Sequence, residues 1–157
     1  MSKKFTIIIP TFKNINYLKL CIESILKNSS ISHQLIIHIN GIDEETEFFL
    51  NQKKILYTKT DTNVGLCSGV NLAANKADTN YILYAHDDMY FLPDWDIRLD
   101  EEVMKIKHNN FYLSMTHISC MNGVKGDIQH IVFDCGSDFK EFNENKLLNN
   151  YHKFNFR

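Results

Sequence analysis

The stretch Tyr81-Ile82-Leu83-Tyr84-Ala85-His86-Asp87-Asp88-Met89 holds the side chains best suited to chemistry, an apolar run that passes without a break into an imidazole and two adjacent carboxylates. Neighbouring carboxylates repel, and drawing them out of water is costly unless a cation or hydrogen-bond donors compensate. A divalent ion is the simplest compensation. An acidic turn that only caps the next segment is the plain alternative. A second carboxylate of interest is Asp134, which follows the apolar run Ile131-Val132-Phe133 and so stands at a strand end, although Cys135-Gly136-Ser137-Asp138 reads equally well as a turn.

The elements that must position these groups alternate. Phe5–Ile9 reads as a strand that Pro10 ends. Leu18, Cys21, Ile22, Ile25 and Leu26 then form a helical stripe, with Asn14 or Asn16 to cap its start and Asn28-Ser29-Ser30 to close it. Leu35–Ile39 predicts a second strand, Asn40-Gly41 a turn, and Asp43-Glu44-Glu45 an acidic helix start. Ile55–Thr58 is a third strand. Leu66, Val70, Ala73, Ala74 and Ala77 mark a small-residue helix, and Tyr81–Ala85 is a fourth strand. Later, Ile97–Lys107 predicts a helix, Phe111–Ile118 and Ile128–Phe133 two more strands, and Leu147, Leu148, Tyr151 and Phe154 a last stripe ending at Arg157.

Such alternation implies right-handed crossovers and an α/β fold with a mostly parallel, Rossmann-like sheet flanked by helices. The strand exits Pro10-Thr11-Phe12, Asn40-Gly41, Lys59-Thr60-Asp61 and His86-Asp87-Asp88 would then gather at one carboxyl edge, where open α/β sheets bind ligands. Four polar exits at one edge suggest a nucleotide-sized site.

With 157 residues, 44% of them hydrophobic, the chain can bury one substantial core, and a single domain over 1–157 is expected. A net charge of −2 leaves no global attraction for nucleic acid or anionic lipid. The longest apolar run, Phe5 to Pro10, is too short for a transmembrane segment, and the chain reads as soluble and cytoplasmic. Cys21, Cys67, Cys120 and Cys135 form no C-x-x-C pair and read as reduced core thiols rather than disulfides or zinc ligands.

Phe5-Thr6-Ile7-Ile8-Ile9-Pro10-Thr11-Phe12-Lys13-Asn14 resembles the opening strand and loop of the family 2 glycosyltransferases. Asn63-Val64-Gly65-Leu66, continuing to Gly69-Val70-Asn71 and Ala77, resembles the family's loop and helix before its metal strand. Tyr81 to Asp88 resembles that strand with its aspartate motif, and Pro93-Asp94-Trp95 fits the segment that follows. The likeness runs over about residues 5 to 107 in the right order and spacing. It implies a GT-A type fold that binds a nucleoside diphosphate sugar, a divalent Mn²⁺ or Mg²⁺ ion, and transfer of the sugar to a glycan, lipid or protein acceptor, usually with inversion.

The resemblance also distributes roles. Asp88 aligns with the family's last motif aspartate and would hold the ion, while His86 takes the place of the first, so that D-D-D reads H-D-D. Either His86 is a ligand, since imidazole suits Mn²⁺ better than Mg²⁺, or it faces the ribose or phosphate while Asp88 carries the ion. Asp87, facing the other way along an extended chain, serves the sugar hydroxyls or is solvated. Thr11 and Phe12 together would receive the base and ribose, with backbone groups of the Pro10 loop reading base edges. Ile39 replaces an aspartate that helps the family recognise uracil, which leaves Asn40 to compensate. Asp61 and Asn63 would contact ribose or base. An inverting transfer needs a carboxylate to take the acceptor proton, and Asp134 is the candidate. Trp95 could face a sugar, although packing is its ordinary use.

Three function classes stay open. A metal-dependent glycosyltransferase, with UDP the default nucleotide by analogy, comes first, and a nucleotide-sugar binding module without transfer activity second. A nucleotidyltransferase is third, because the Pro10–Asn14 region offers only Lys13 where a triphosphate needs a glycine- and basic-rich loop.

Overall fold

The computed structural model describes residues 3–120, 130–154 and 156. They form two compact units, Met1–Val103 and Met104–Arg157. The first contains a four-stranded, all-parallel sheet in the order β3-β2-β1-β4. Its strands are β1 (Phe5–Thr11), β2 (Gln34–Asn40), β3 (Leu56–Thr60) and β4 (Tyr81–Tyr84), joined by α1 (Ile15–Asn28), α2 (Glu44–Lys53) and α3 (Leu66–Ala74), with α4 (Trp95–Lys105) after β4. This is the α/β architecture expected, and each connection between parallel strands is a crossover helix.

Every residue of β1 is buried because both faces of the strand are covered. Ile7 and Ile9 pack with Leu18, Cys21, Ile22 and Ile25 of α1 and with Phe49 and Leu50 of α2, while Ile8 and Ile36 on the opposite face meet Ala73, Val70 and Ala74 of α3. The small residues of α3 allow a close approach. A methyl group placed on Gly69 would lie only 2.5 Å from Cδ2 of the buried His38.

Several boundaries differ from the sequence expectation. β1 runs on through Pro10, which pairs in register with His38. Ala85 donates its N–H to the Ile8 carbonyl, so even-numbered β1 residues direct their backbone groups toward β4, whose strand stops at Tyr84. The donor that Pro10 lacks therefore falls where the neighbouring strand has already ended. β3 lies at Leu56–Thr60, α4 begins at Trp95, and α3 ends before Ala77.

The second unit holds a separate two-stranded parallel sheet of β5 (His117–Ser119) and β6 (His130–Val132), then α5 (Glu144–Leu148) and a 3₁₀ turn at Tyr151–Lys153. The expected strand over Phe111–Ile118 shrinks to its last residues plus Ser119. Tyr112 is 88% exposed, and among the described residues hydrogen-bonded pairing begins where His117 meets His130, so no described strand pairs with the residues upstream. Ile128 and Arg157, the ends of two expected elements, lie outside the described residues. Among the described residues no helix is long and apolar enough to cross a membrane.

Candidate functional site

Between β1 and β4 the strand order reverses direction, from third through second to first and then to fourth. Ligands of open α/β sheets sit in the crevice beyond the carboxyl ends of such a pair. A cleft of about 520 Å³ opens there. One wall is the β1 exit, Pro10 to Asn14, a second is Asn40 with Asn63, Gly65 and Leu66, and a third is His86 with Asp87.

On the first wall Phe12 is half exposed, and its ring lies across Gly41, where an added methyl would come within 3.3 Å of the ring. Gly41 has φ +113, a conformation open to glycine and strained for other residues. The ring therefore has space beside bare backbone at Gly41 and leaves about half of its surface exposed. Lys13 holds φ 51, a left-handed conformation that costs a lysine about 1 kcal/mol. Its Nζ stands 5.6 Å from the centroid of the Phe12 ring, and among the described residues that line the cleft it is the one Lys or Arg.

On the second wall Asn40 is buried. Its Oδ1 accepts from the Val64 backbone at 2.8 Å, and its Nδ2 donates to the Gly65 carbonyl at 3.3 Å. Expected as a reader of the base, it instead has both ends of its amide committed to the loop that leads into α3. Asn63 folds the same loop by accepting from the Gly65 N–H at 2.9 Å.

The third wall is the turn after β4. Asp87, expected to serve sugar hydroxyls or to be solvated, is half-buried and engaged: Oδ2 accepts from the Thr11 hydroxyl at 2.6 Å and Oδ1 from the Asn14 amide at 3.0 Å. Asn14 occupies the N-cap position of α1 yet makes no side-chain capping bond, because its amide is turned to Asp87. His86 and Asp88 are exposed. The Tyr84 hydroxyl lies 3.1 Å from Nε2 of His86.

The turn is also held from beneath by α1. Cys21 directs its thiol at the His86 carbonyl at 3.6 Å, Ser24 accepts the Phe91 N–H at 2.9 Å, and Asn28 donates to the Phe91 carbonyl at 2.6 Å. These residues, three and four apart, share one face of the helix. Burial, and after it the charge of Asp87, pushes the Cys21 thiol up to about 12, so it works as a neutral donor and not as a nucleophile. Trp95 is packed, as its ordinary use predicts, against Phe91 and His33, with its indole N–H given to Ser29 at 3.1 Å.

The sequence-predicted residues Pro10, Thr11, Phe12, Asn40, Asn63, His86 and Asp87 thus line one cleft, with exposed Asp88 next along the turn. Asp61 lines a separate hollow of about 50 Å³ beside Lys59 and Glu47. Asp134 belongs to the second unit, where its Oδ1 accepts from the Gly136 N–H at 2.9 Å in a tight turn. Gly65, Leu66 and the use of Asn14 were missed. Leu66, the first residue of the stripe that marks a small-residue helix, opens α3 at the cleft and is 47% exposed.

Among the described residues no three His, Cys, Asp or Glu side chains are grouped to hold an ion. An exposed Asp88 beside an exposed His86 suits a hard cation that takes one or two protein ligands and completes its shell with phosphate oxygens and water. It does not suit a cage made by the protein alone.

Residues 6–156 match the family described as Glycosyl transferase family 2. The chain belongs to this family. Among similar proteins, the glycosyltransferase GlyA of Streptococcus pneumoniae serotype 4 (strain ATCC BAA-334 / TIGR4) is 25% identical over 118 residues, 69% of this chain and 17% of that protein. An uncharacterized glycosyltransferase of Rickettsia bellii (strain RML369-C) is 29% identical over 117 residues, 72% of this chain and 16% of its own length. The chain thus spans less than a fifth of these curated relatives. In fold it resembles S. aureus TarS 1-349, with TM-score 0.58 at 16% identity over 65% of this chain and 32% of TarS. TarS 1-349 in complex with UDP gives TM-score 0.55 at 19% identity, covering 78% and 37% of the two chains. The family 2 chain described here therefore has a GT-A type fold.

Proposed function

We propose that this family 2 chain binds the donor of a metal-dependent glycosyltransferase that moves a sugar from a nucleoside diphosphate sugar, UDP-sugar favoured, to a glycan, lipid or protein acceptor with inversion. One observation carries the reading: the cleft at the β1–β4 reversal combines a half-exposed aromatic ring, the cation of Lys13 and a metal-competent turn. The UDP bound to TarS, a protein of like fold, supports the choice of nucleotide.

In this reading the base lies on Phe12 over Gly41, with backbone of the Pro10 loop at its edges, and Thr11 and Asn63 stand near the ribose. Lys13 offers positive charge toward the diphosphate. Asp61, in its neighbouring hollow, would reach only the outer edge of a base or ribose. Asp88 holds Mn²⁺ or Mg²⁺, with His86 as second ligand. When bound, the ion neutralises the negative charge that collects on the departing phosphates. Asp134 would take the proton from the acceptor hydroxyl.

A second reading, donor binding without transfer, has an observation in its favour. Asp134 already accepts a turn N–H, whereas the donor-side cleft is assembled within the first unit. Thermal unfolding with UDP, GDP and CDP, each with and without Mn²⁺, tests the site common to both readings. A ligand at about 100 times its dissociation constant stabilises by about 2.7 kcal/mol. Stabilisation by one nucleotide that depends on metal is expected, and no shift with any of the three would overturn the proposal. Release of free UDP from a UDP-sugar, lost in Asp134→Asn with donor binding retained, separates transfer from binding alone.

A further inference from the structure

We propose that Asp87 is a positioning residue, a strut that ties the nucleotide-side loop of β1 to the metal-side turn of β4 and so orients Asp88; this rests on the donor-site reading above.

The two sides of the cleft come from segments far apart in the chain. Thr11 and Asn14 follow β1, and Asp87 follows β4, 76 and 73 residues away. Backbone pairing between the strands reaches only to Ile8, whose carbonyl accepts the Ala85 N–H at 3.0 Å. Beyond that point the strands part and the cleft begins. The Asp87 carboxylate spans the opening where the ladder stops, taking the Thr11 hydroxyl on one oxygen and the Asn14 amide on the other. The Cys21 thiol fixes the carbonyl of the preceding residue from below. With both oxygens of Asp87 occupied, the adjacent Asp88 is the carboxylate left exposed on the turn.

This arrangement answers the electrostatic problem of two neighbouring carboxylates in different ways. Asp87 is compensated by two internal donors, and Asp88 is left for a cation. A strut of this kind sets the distance between the face that receives the nucleoside and the carboxylate that meets the phosphates, so its loss should appear where both must act at once. Thr11 is itself nearly buried, which makes its hydroxyl a firm anchor for the strut and not a mobile surface group.

The test is binding of UDP, titrated with Mn²⁺, to the wild-type chain and to Asp87→Ala and Asp87→Asn. The Mn²⁺ concentration giving half-maximal UDP binding should rise tenfold or more in Asp87→Ala. It should stay within about threefold of wild type in Asp87→Asn, whose amide oxygen can still accept from Thr11. A merely structural role would lower the melting temperature of the ligand-free chain and leave the Mn²⁺ midpoint of the folded fraction unmoved, which overturns the strut. A direct contact to the donor sugar would leave UDP unaffected and weaken only the UDP-sugar, which also overturns it. If Asp87→Ala fails to fold, a tenfold rise in Asn14→Ala, which removes one anchor and no assigned nucleotide contact, supports the strut, and an unmoved midpoint refutes it. Failure of the wild-type chain to bind UDP with Mn²⁺ would instead bring down the donor-site reading, and the strut with it.

Discussion

Replacing Gly69 by alanine puts the packing of α3 to a quantitative test. The new methyl would stand 2.5 Å from His38 Cδ2, 3.1 Å from Nε2 and 3.3 Å from Cγ, whereas carbon atoms in contact prefer about 3.5–4.0 Å. His38 cannot yield, since it is fully buried and its Nδ1 is held by the Thr58 hydroxyl at 2.8 Å. The helix must therefore lift by about 1 Å at this point. Alanine gains about 1 kcal/mol of helix propensity over glycine, but overpacking a rigid core costs about 1–3 kcal/mol. Lifting α3 also loosens its seat on Ile8 and Ile36. The net expectation is a destabilisation of about 1–2 kcal/mol. In equilibrium urea unfolding, with a slope of about 1–3 kcal/mol/M, the midpoint should fall by about 0.3–2 M at unchanged slope. In a His38→Ala background the ring is gone and the added methyl should fill space, so the two changes should couple by about 1 kcal/mol or more. A Gly69→Ala chain as stable as wild type, or an equal penalty with and without the His38 ring, would refute the reasoning.

Asp88→Ala should abolish metal-dependent stabilisation by UDP while leaving the ligand-free melting temperature within about 1 °C, because an exposed turn residue away from packing changes stability little; retained metal dependence sinks the ligand assignment. Asp96→Ala should cost about 3–5 kcal/mol in denaturant unfolding. Its fully buried carboxylate accepts from Ser30 N at 2.8 Å, Ile31 N at 2.7 Å and His33 Nε2 at 3.0 Å, and all three would be orphaned; a loss under about 1 kcal/mol would contradict this. Burial lowers the His38 pKa below its ordinary 6.5, so on acidification the unfolded chain takes up the proton first. The contribution of His38 is thus whole above about pH 6.5 and falls away as pH drops below it. Comparing urea midpoints from pH 7.5 to 5.5 in wild type and His38→Gln isolates this slope, and an identical slope in both would disprove it.

The parts of the fold written in local patterns were legible in the sequence. The apolar run Phe5–Ile9, the stripe of α1 and the run ending at His86-Asp87-Asp88 each carry a period or a boundary visible within a dozen residues. Their convergence at one sheet edge followed from chain alternation alone. What stayed hidden depends on partners distant in sequence. Asn14 reads as a helix cap until Asp87 arrives beside it, and Asn40 reads as a base contact until Val64 and Gly65 claim its amide. Cys21 reads as a core thiol and Asn28 as a helix end, because nothing near them announces the His86 and Phe91 carbonyls they hold. The strand expected from Phe111 is shorter for the converse reason, since local composition suits a strand and, among the described residues, only His117–Ser119 meets a pairing neighbour. Of the four thiols expected in the core, Cys21 and Cys135 are buried, Cys120 is half-buried, and Cys67 is exposed at the start of α3.

The strand order carries a consequence for the time course of folding. Closing a longer loop costs more entropy, so pairings between distant segments tend to form after nearer ones. β1 meets β2 through partners such as Thr6 and Gln34, but meets β4 only through partners such as Phe5 and Tyr81. The two flanks of the cleft are therefore joined by the most distant of the sheet's contacts. During refolding the helical signal should recover first, β1, β2 and β3 should associate next, and the capacity to hold a nucleotide should emerge only when β4 docks. A nucleotide present from the start would have nothing to grip until that step, and would slow unfolding without hastening assembly.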